Sequence, residues 1–149
     1  MLVQRAPSGG EPQALGRSRG GFSTKIHVAV DALGNPVDFI LTEGQAADNP
    51  QAQVLLKGKS PEYVLADKAY DADDTIKTIE NQRAIPVIPP KANRKHQREC
   101  DFALYKERHL VECFIGKIKH FRRVFSRFDK RQTRFLAFLH FVSTIIWLR

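Results

Sequence analysis

Residues 24–30 (TKIHVAV) alternate apolar Ile26, Val28 and Val30 with polar Lys25 and His27, the period of two expected of a half-buried strand. Turn-forming residues fill 31–36 (DALGNP), and 37–42 (VDFILT) is a second strand-like run, so the two predict an antiparallel hairpin. Asn49-Pro50 predicts a helix start, with Asn as cap and Pro at the first helical position; Gly58 stops that helix after Lys57. A short apolar run at 63–66 has turn-rich flanks and ends in Asp67, as a buried strand would. A helix over 73–81 follows, then an apolar stretch at 85–88 that Pro86 restricts to a sheet edge. Residues 91–98 form a basic loop, and two long helical patterns, 102–123 and 133–148, close the chain. The order strand, strand, helix, strand, helix, weak strand, helix predicts a mixed α/β domain over 24–149. Residues 1–23 are too poor in apolar side chains to build much core and read as an irregular basic arm.

Composition narrows the class. The apolar run at 135–148 is broken by His140, Ser143 and Thr144, and it is shorter than the roughly 20 residues a bilayer span needs. The N-terminus lacks the apolar core of a signal peptide. No membrane role is expected, and the last helix reads as buried or docking. Cys100 and Cys113 have neither the spacing of a zinc site nor a disulfide framework, so reduced thiols in the cytoplasm are expected. The net charge of +8 points to a polyanionic partner.

Candidate chemistry lies on the helix drawn through 105–125. At about 100° per residue, Leu104, Leu110, Val111, Phe114, Ile115, Ile118, Phe121 and Phe125 gather on one face. Tyr105, Arg108, Glu112 and Lys119 form a strip along its edge, where the Glu112 carboxylate would be partly desolvated. Alone, Arg108 and Glu112 are an ordinary i,i+4 ion pair worth a few tenths of a kcal/mol. Asp67 changes the weighing, because the end of an apolar strand is where side chains meet ligands; by itself it would be a turn or capping residue. Two rigidly held carboxylates among basic groups suit phosphoryl transfer on DNA, in which two divalent ions about 4 Å apart activate the attacking hydroxyl and stabilise the leaving oxygen. Mg²⁺ or Mn²⁺ fits such oxygen ligands, here Asp67 and Glu112.

Basic residues cluster in three places. Lys117, Lys119, Arg122, Arg123, Arg127, Lys130, Arg131 and Arg134 are interleaved with Phe121, Phe125 and Phe128. This pattern reads as a phosphate-tracking surface whose aromatics belong to the core rather than to base stacking. Lys91, Arg94, Lys95 and Arg98 form a second cluster between the two carboxylate-bearing elements, and Arg17 and Arg19 a third. Solubility is the alternative for each. Three clusters flanking one candidate site favour DNA.

Three stretches carry a family resemblance. ALGRSRGGFSTKIHVAVDALGNP (14–36), VLADKAYDADD (64–74) and Tyr-x2-Arg-x3-Glu-x6-Lys at Tyr105, Arg108, Glu112 and Lys119 resemble the insertion-sequence DDE transposases that bear a Tyr–Arg–Glu signature. The resemblance implies a ribonuclease H-like fold, a mixed sheet flanked by helices, with Asp67 as the second catalytic Asp and Glu112 as the catalytic Glu. It also implies that Tyr105, Arg108 and Lys119 position DNA or brace Glu112, with Arg122, Arg123, Lys91, Arg94 and Lys95 as further DNA contacts. One departure stands out. The family's first catalytic Asp lies on the first strand, upstream of the matched region, and no Asp precedes Ala14 here. The expectation is a fold lacking its first strand and a chain inactive alone, whether a second reading frame, a decayed remnant or a start codon called too late. The full enzyme would be a nucleoid-associated homo-oligomer acting on terminal inverted repeats and target DNA. The rival readings are a non-catalytic DNA-binding regulator of transposition and, less favoured, a ribonuclease H-like nuclease for hybrids.

Overall fold

The computed structural model describes residues 13–18 and 21–148. Its strands are β1 (Gly16–Ser18), β2 (Gly21–Val30), β3 (Pro36–Glu43), β4 (Tyr63–Leu65) and β5 (Ile85–Val87). The α-helices are α1 (Asn49–Leu56), α2 (Asp73–Asn81), α3 (Phe102–Tyr105), α4 (His109–Lys119), α5 (Arg122–Phe125) and α6 (Gln132–Trp147). Single 3₁₀ turns occupy Lys68–Tyr70 and Lys106–Arg108.

The architecture is mixed α/β, but the strands form two small sheets rather than one. β1-β2-β3 is antiparallel, with Ile26 opposite Leu41 and Val28 opposite Phe39, while β4 and β5 pair in parallel. The predicted hairpin is present. Its turn is set by Asp31, whose Oδ1 accepts from Leu33 N–H (2.8 Å) and Asn35 N–H (2.9 Å). Gly34 there has φ +80°, so the turn needs glycine for its backbone conformation, while a Cβ would meet Leu110 of α4 only in ordinary contact at 3.4 Å. β1, with Ala14 buried beside it, lies inside the stretch expected to be an irregular arm; pairing with β2 supplies the order that composition did not.

Each sheet has its own core. Phe39 and Leu41 of β3 pack with Phe114, Ile118, Val124, Phe135, Leu139 and Val142. The i, i+4, i+7 spacing of the last three gives α6 one buried face, and each such side chain is worth about 1.5–3 kcal/mol. Leu56, Ile76, Ile79, Ala84 and Ile88 make the second cluster, around α1, α2 and the parallel pair. α1 touches β2, β3 and α2 and so bridges the two halves.

Two expectations are corrected. The helix drawn over 102–123 is split by the 3₁₀ turn at 106–108 and by Phe121, whose backbone is extended (φ −86°, ψ 103°). The break at Phe121 rotates α5 relative to α4, so Phe125 leaves the apolar face and stands 72% exposed. At α1 the capping position belongs to Asp48, not Asn49, and Asp48 makes no side-chain cap bond.

Candidate active site

Asp67 comes two residues after the last residue of β4. Its backbone is extended, and Oδ1 accepts from Ala69 N–H at 2.8 Å, so the carboxylate opens the 3₁₀ turn like a helix cap. That local role fixes the side chain's orientation.

A buried polar junction holds the same turn from the other side. His27 of β2 is only 3% exposed, although its strand pattern placed it on the polar face. α1 covers that face, and both ring nitrogens find hydroxyls: Nδ1 to Tyr70 Oη at 3.2 Å and Nε2 to Thr42 Oγ1 at 2.8 Å. Lys25 Nζ donates to Asp48 Oδ1 (3.0 Å), which lies 3.8 Å from His27 Nδ1. The Asn49 carboxamide, turned so that its nitrogen donates, reaches the carbonyls of Ala69 (2.9 Å) and Tyr70 (3.1 Å). Burial lowers the His27 pKa, and Lys25 adds to that while Asp48 opposes it. Burial also pushes the Tyr70 phenol up to about 12, helped by the charges of Asp48 and Asp67. His27, Asp48 and Tyr70 were not singled out from the sequence. The available signal was a histidine in a strand whose polar face a following helix would cover.

Glu112 sits on α4, one turn after Arg108. Arg108 Nη2 donates to Glu112 Oε1 (2.9 Å) and Nε donates to Tyr105 Oη (3.2 Å), with the guanidinium 5.9 Å from the centre of the Tyr105 ring. Tyr105, Arg108 and Glu112 are thus one connected strip. The Glu112 side chain is 66% exposed, however, so it faces solvent rather than the core boundary that periodicity suggested. α3, which opens this run, packs against β5, the partner of β4.

The basic loop is braced by acids. Asp71 has no exposed side-chain surface; it accepts from Lys91 N–H (2.7 Å), Arg94 Nε (3.0 Å) and Arg98 Nη2. Burial pulls its pKa upward, but those donors outweigh it and hold the carboxyl below its ordinary range. Arg94 also pairs with Asp73 at 2.5 Å. Arg94 is therefore engaged within the protein, while Lys95 is exposed and Lys91 half-buried. Together with Asn93, His96 and Asp73 they line an open pocket of about 440 Å³.

The basic segment after Glu112 divides similarly. Arg123 makes a two-pronged pair with Asp129 (2.8 and 2.7 Å) and lies 4.8 Å from the Phe138 ring centre. Arg127 turns inward to the carbonyls of Gln13 and Ala14. Lys119 and Arg122 remain exposed. Arg19 and the Arg17 side chain lie outside the described residues.

Asp67 and Glu112 are hard oxygen donors of the kind Mg²⁺ takes. Among the described residues, no group of three or more His, Cys, Asp or Glu side chains could hold an ion. The donor chemistry of each carboxylate fits a divalent cation. No helix among the described residues is long and apolar enough to cross a membrane.

Residues 4–147 match the family model described as "Transposase DDE domain". The chain is 43% identical over 130 residues to a transposase for insertion sequence element IS6501 from Brucella ovis, covering 86% of this chain and all of that relative. It is 31% identical over 140 residues to a transposase for IS402 from Burkholderia cepacia, covering 86% of this chain and 63% of that relative. No solved structure matches it.

Proposed function

Because this chain belongs to the insertion-sequence DDE transposases, DNA-binding enzymes of polynucleotidyl transfer that use divalent metal ions, we propose that it holds two of three metal-binding carboxylates. Those two are Asp67 and Glu112, and polypeptide outside the described residues supplies the third. The observation that carries the reading is the fixed Asp67 carboxylate at the end of a parallel strand, held by Ala69 N–H in a turn anchored through Tyr70.

The sheets support a ribonuclease H-like completion. Beyond Ser23, the β1 side of β2 has no strand partner among the described residues, and β4 pairs only with β5. One inserted strand between β2 and β4 would join both sheets into a single mixed one. The same strand would bring the missing carboxylate to Asp67.

Each residue has a definite task in this scheme. Tyr105 orients Arg108, and Arg108 holds one Glu112 oxygen, leaving the other for a cation. Lys91, Lys95, Lys119 and Arg122 supply positive charge for the DNA backbone, and Arg94 and Arg123 act through the acids they hold in place. When bound, two Mg²⁺ (or Mn²⁺) ions would activate the attacking hydroxyl and stabilise the leaving oxygen.

The test is reconstitution. With the upstream polypeptide co-expressed, Asp67→Asn or Glu112→Gln lowers excision and strand transfer by more than about 100-fold, beyond the 10–100-fold typical of losing an outer-shell partner. The 149-residue chain alone shows no Mg²⁺-dependent nicking of DNA carrying element ends; robust nicking would contradict the account. A second reading, a DNA-binding regulator of transposition, is favoured by the lack of any three-residue donor group among the described residues. It predicts end binding indifferent to both substitutions.

A further inference from the structure

The turn between α5 and α6 presents two large aromatic side chains to solvent. Phe125 is 72% and Phe128 61% exposed, whereas Phe114 and Phe135 nearby in sequence are fully buried. Exposing a phenylalanine forgoes about 1.5–3 kcal/mol of burial.

The turn that does this is firmly held. Arg127 adopts φ +35°, a backbone conformation that disfavours any residue with a Cβ. Its guanidinium points inward: Nη1 donates to Ala14 O (2.9 Å) and to Thr24 Oγ1, Nη2 donates to Gln13 O (2.7 Å), and the group stacks 5.2 Å from the Phe135 ring centre. Asp129 is fixed by Arg123, its side chain 8% exposed. With positions 127 and 129 anchored to the body, 125 and 128 are held outward.

The surroundings are cationic. Arg122 lies over the Phe128 ring at 5.8 Å, and Lys130 and Arg131 follow in the chain, both exposed. After Glu112 the sequence has one acid, Asp129, and Arg123 already neutralises it. An apolar partner surface would gain nothing from such charge. A nucleotide gains from both features, since its base stacks on an aromatic face and its phosphate pairs with the cations.

We propose that Phe125 and Phe128 form a stacking platform for unpaired nucleotides, with Arg122, Lys130 and Arg131 engaging the adjoining phosphates. The inference rests on the proposed DNA-binding function and names the DNA form that this surface takes: bases frayed or extruded at an end, not intact duplex.

The experiment uses the 149-residue chain and fluorescence anisotropy with a labelled single-stranded oligonucleotide and a blunt duplex of equal length. Phe125→Ala/Phe128→Ala weakens single-strand binding about tenfold or more, and duplex binding less than about twofold. Replacement of both by Trp restores single-strand affinity, while Leu does not, which separates stacking from apolar contact. The Leu and Trp variants also carry the test if the Ala variant melts early. Equal loss on both DNAs, no loss on either, or rescue by Leu overturns the platform while DNA binding stands. Wild-type protein that binds neither DNA overturns the DNA-binding reading and the platform with it. Loss of self-association in the Ala variant with unchanged single-strand affinity assigns the patch to a protein interface and overturns the proposal.

Discussion

Tyr70 shows how one hydroxyl connects strand packing to the candidate metal ligand. It follows Asp67 by one short turn and meets His27 of the other sheet. Tyr70→Phe leaves a buried imidazole nitrogen without that partner, an expected loss of about 1 kcal/mol in urea unfolding. The His27 pKa is lowered in the folded protein by burial, so the unfolded chain binds the proton more tightly. Stability is therefore complete above the unfolded value of about 6.5 and declines as pH falls through it toward the folded value. His27→Gln should flatten that part of the stability–pH curve. A curve unchanged between wild type and variant would show that the junction does not titrate.

At the scale of elements, local pattern gave existence and type well. α2 has the bounds its periodicity predicts, β2 and β3 run slightly beyond theirs, and Gly58 ends α1 as expected. What pattern missed depends on distant partners. Arg127 resembles its basic neighbours in sequence, yet its contacts lie more than 100 positions away at Gln13, Ala14 and Thr24. Arg94 reads as a free cation until Asp71 and Asp73 are seen to hold it. The helix break at Phe121 has neither proline nor glycine to announce it. Asp71 gives the clearest element-scale prediction. Asp71→Asn removes the charge that gathers Lys91 N–H, Arg94 and Arg98, and should cost about 1–3 kcal/mol. Limited proteolysis should then cut within 91–98 first; an unchanged cleavage pattern would mean the loop is ordered by something else.

For the whole molecule, the legible part was the family, which the match over residues 4–147 shows, and with it the class of chemistry. Less legible was how the strands assemble. Two cores with separate sheets, joined through α1 and the His27–Tyr70 bond, replace the single mixed sheet that the sequence implied. In the proposed completion, a strand inserted between β2 and β4 would repair that division. On the proposed function, Asp67 and Glu112 share a cation in the completed fold. Iron(II) substituted for Mg²⁺ in the reconstituted protein, with ascorbate and peroxide, cuts the polypeptide wherever it lies close to the bound ion. Cuts should then cluster around both 67 and 112, each cluster abolished by Asp67→Asn and equally by Glu112→Gln. Cutting near only one of them, or two clusters that respond separately to the two substitutions, would contradict it.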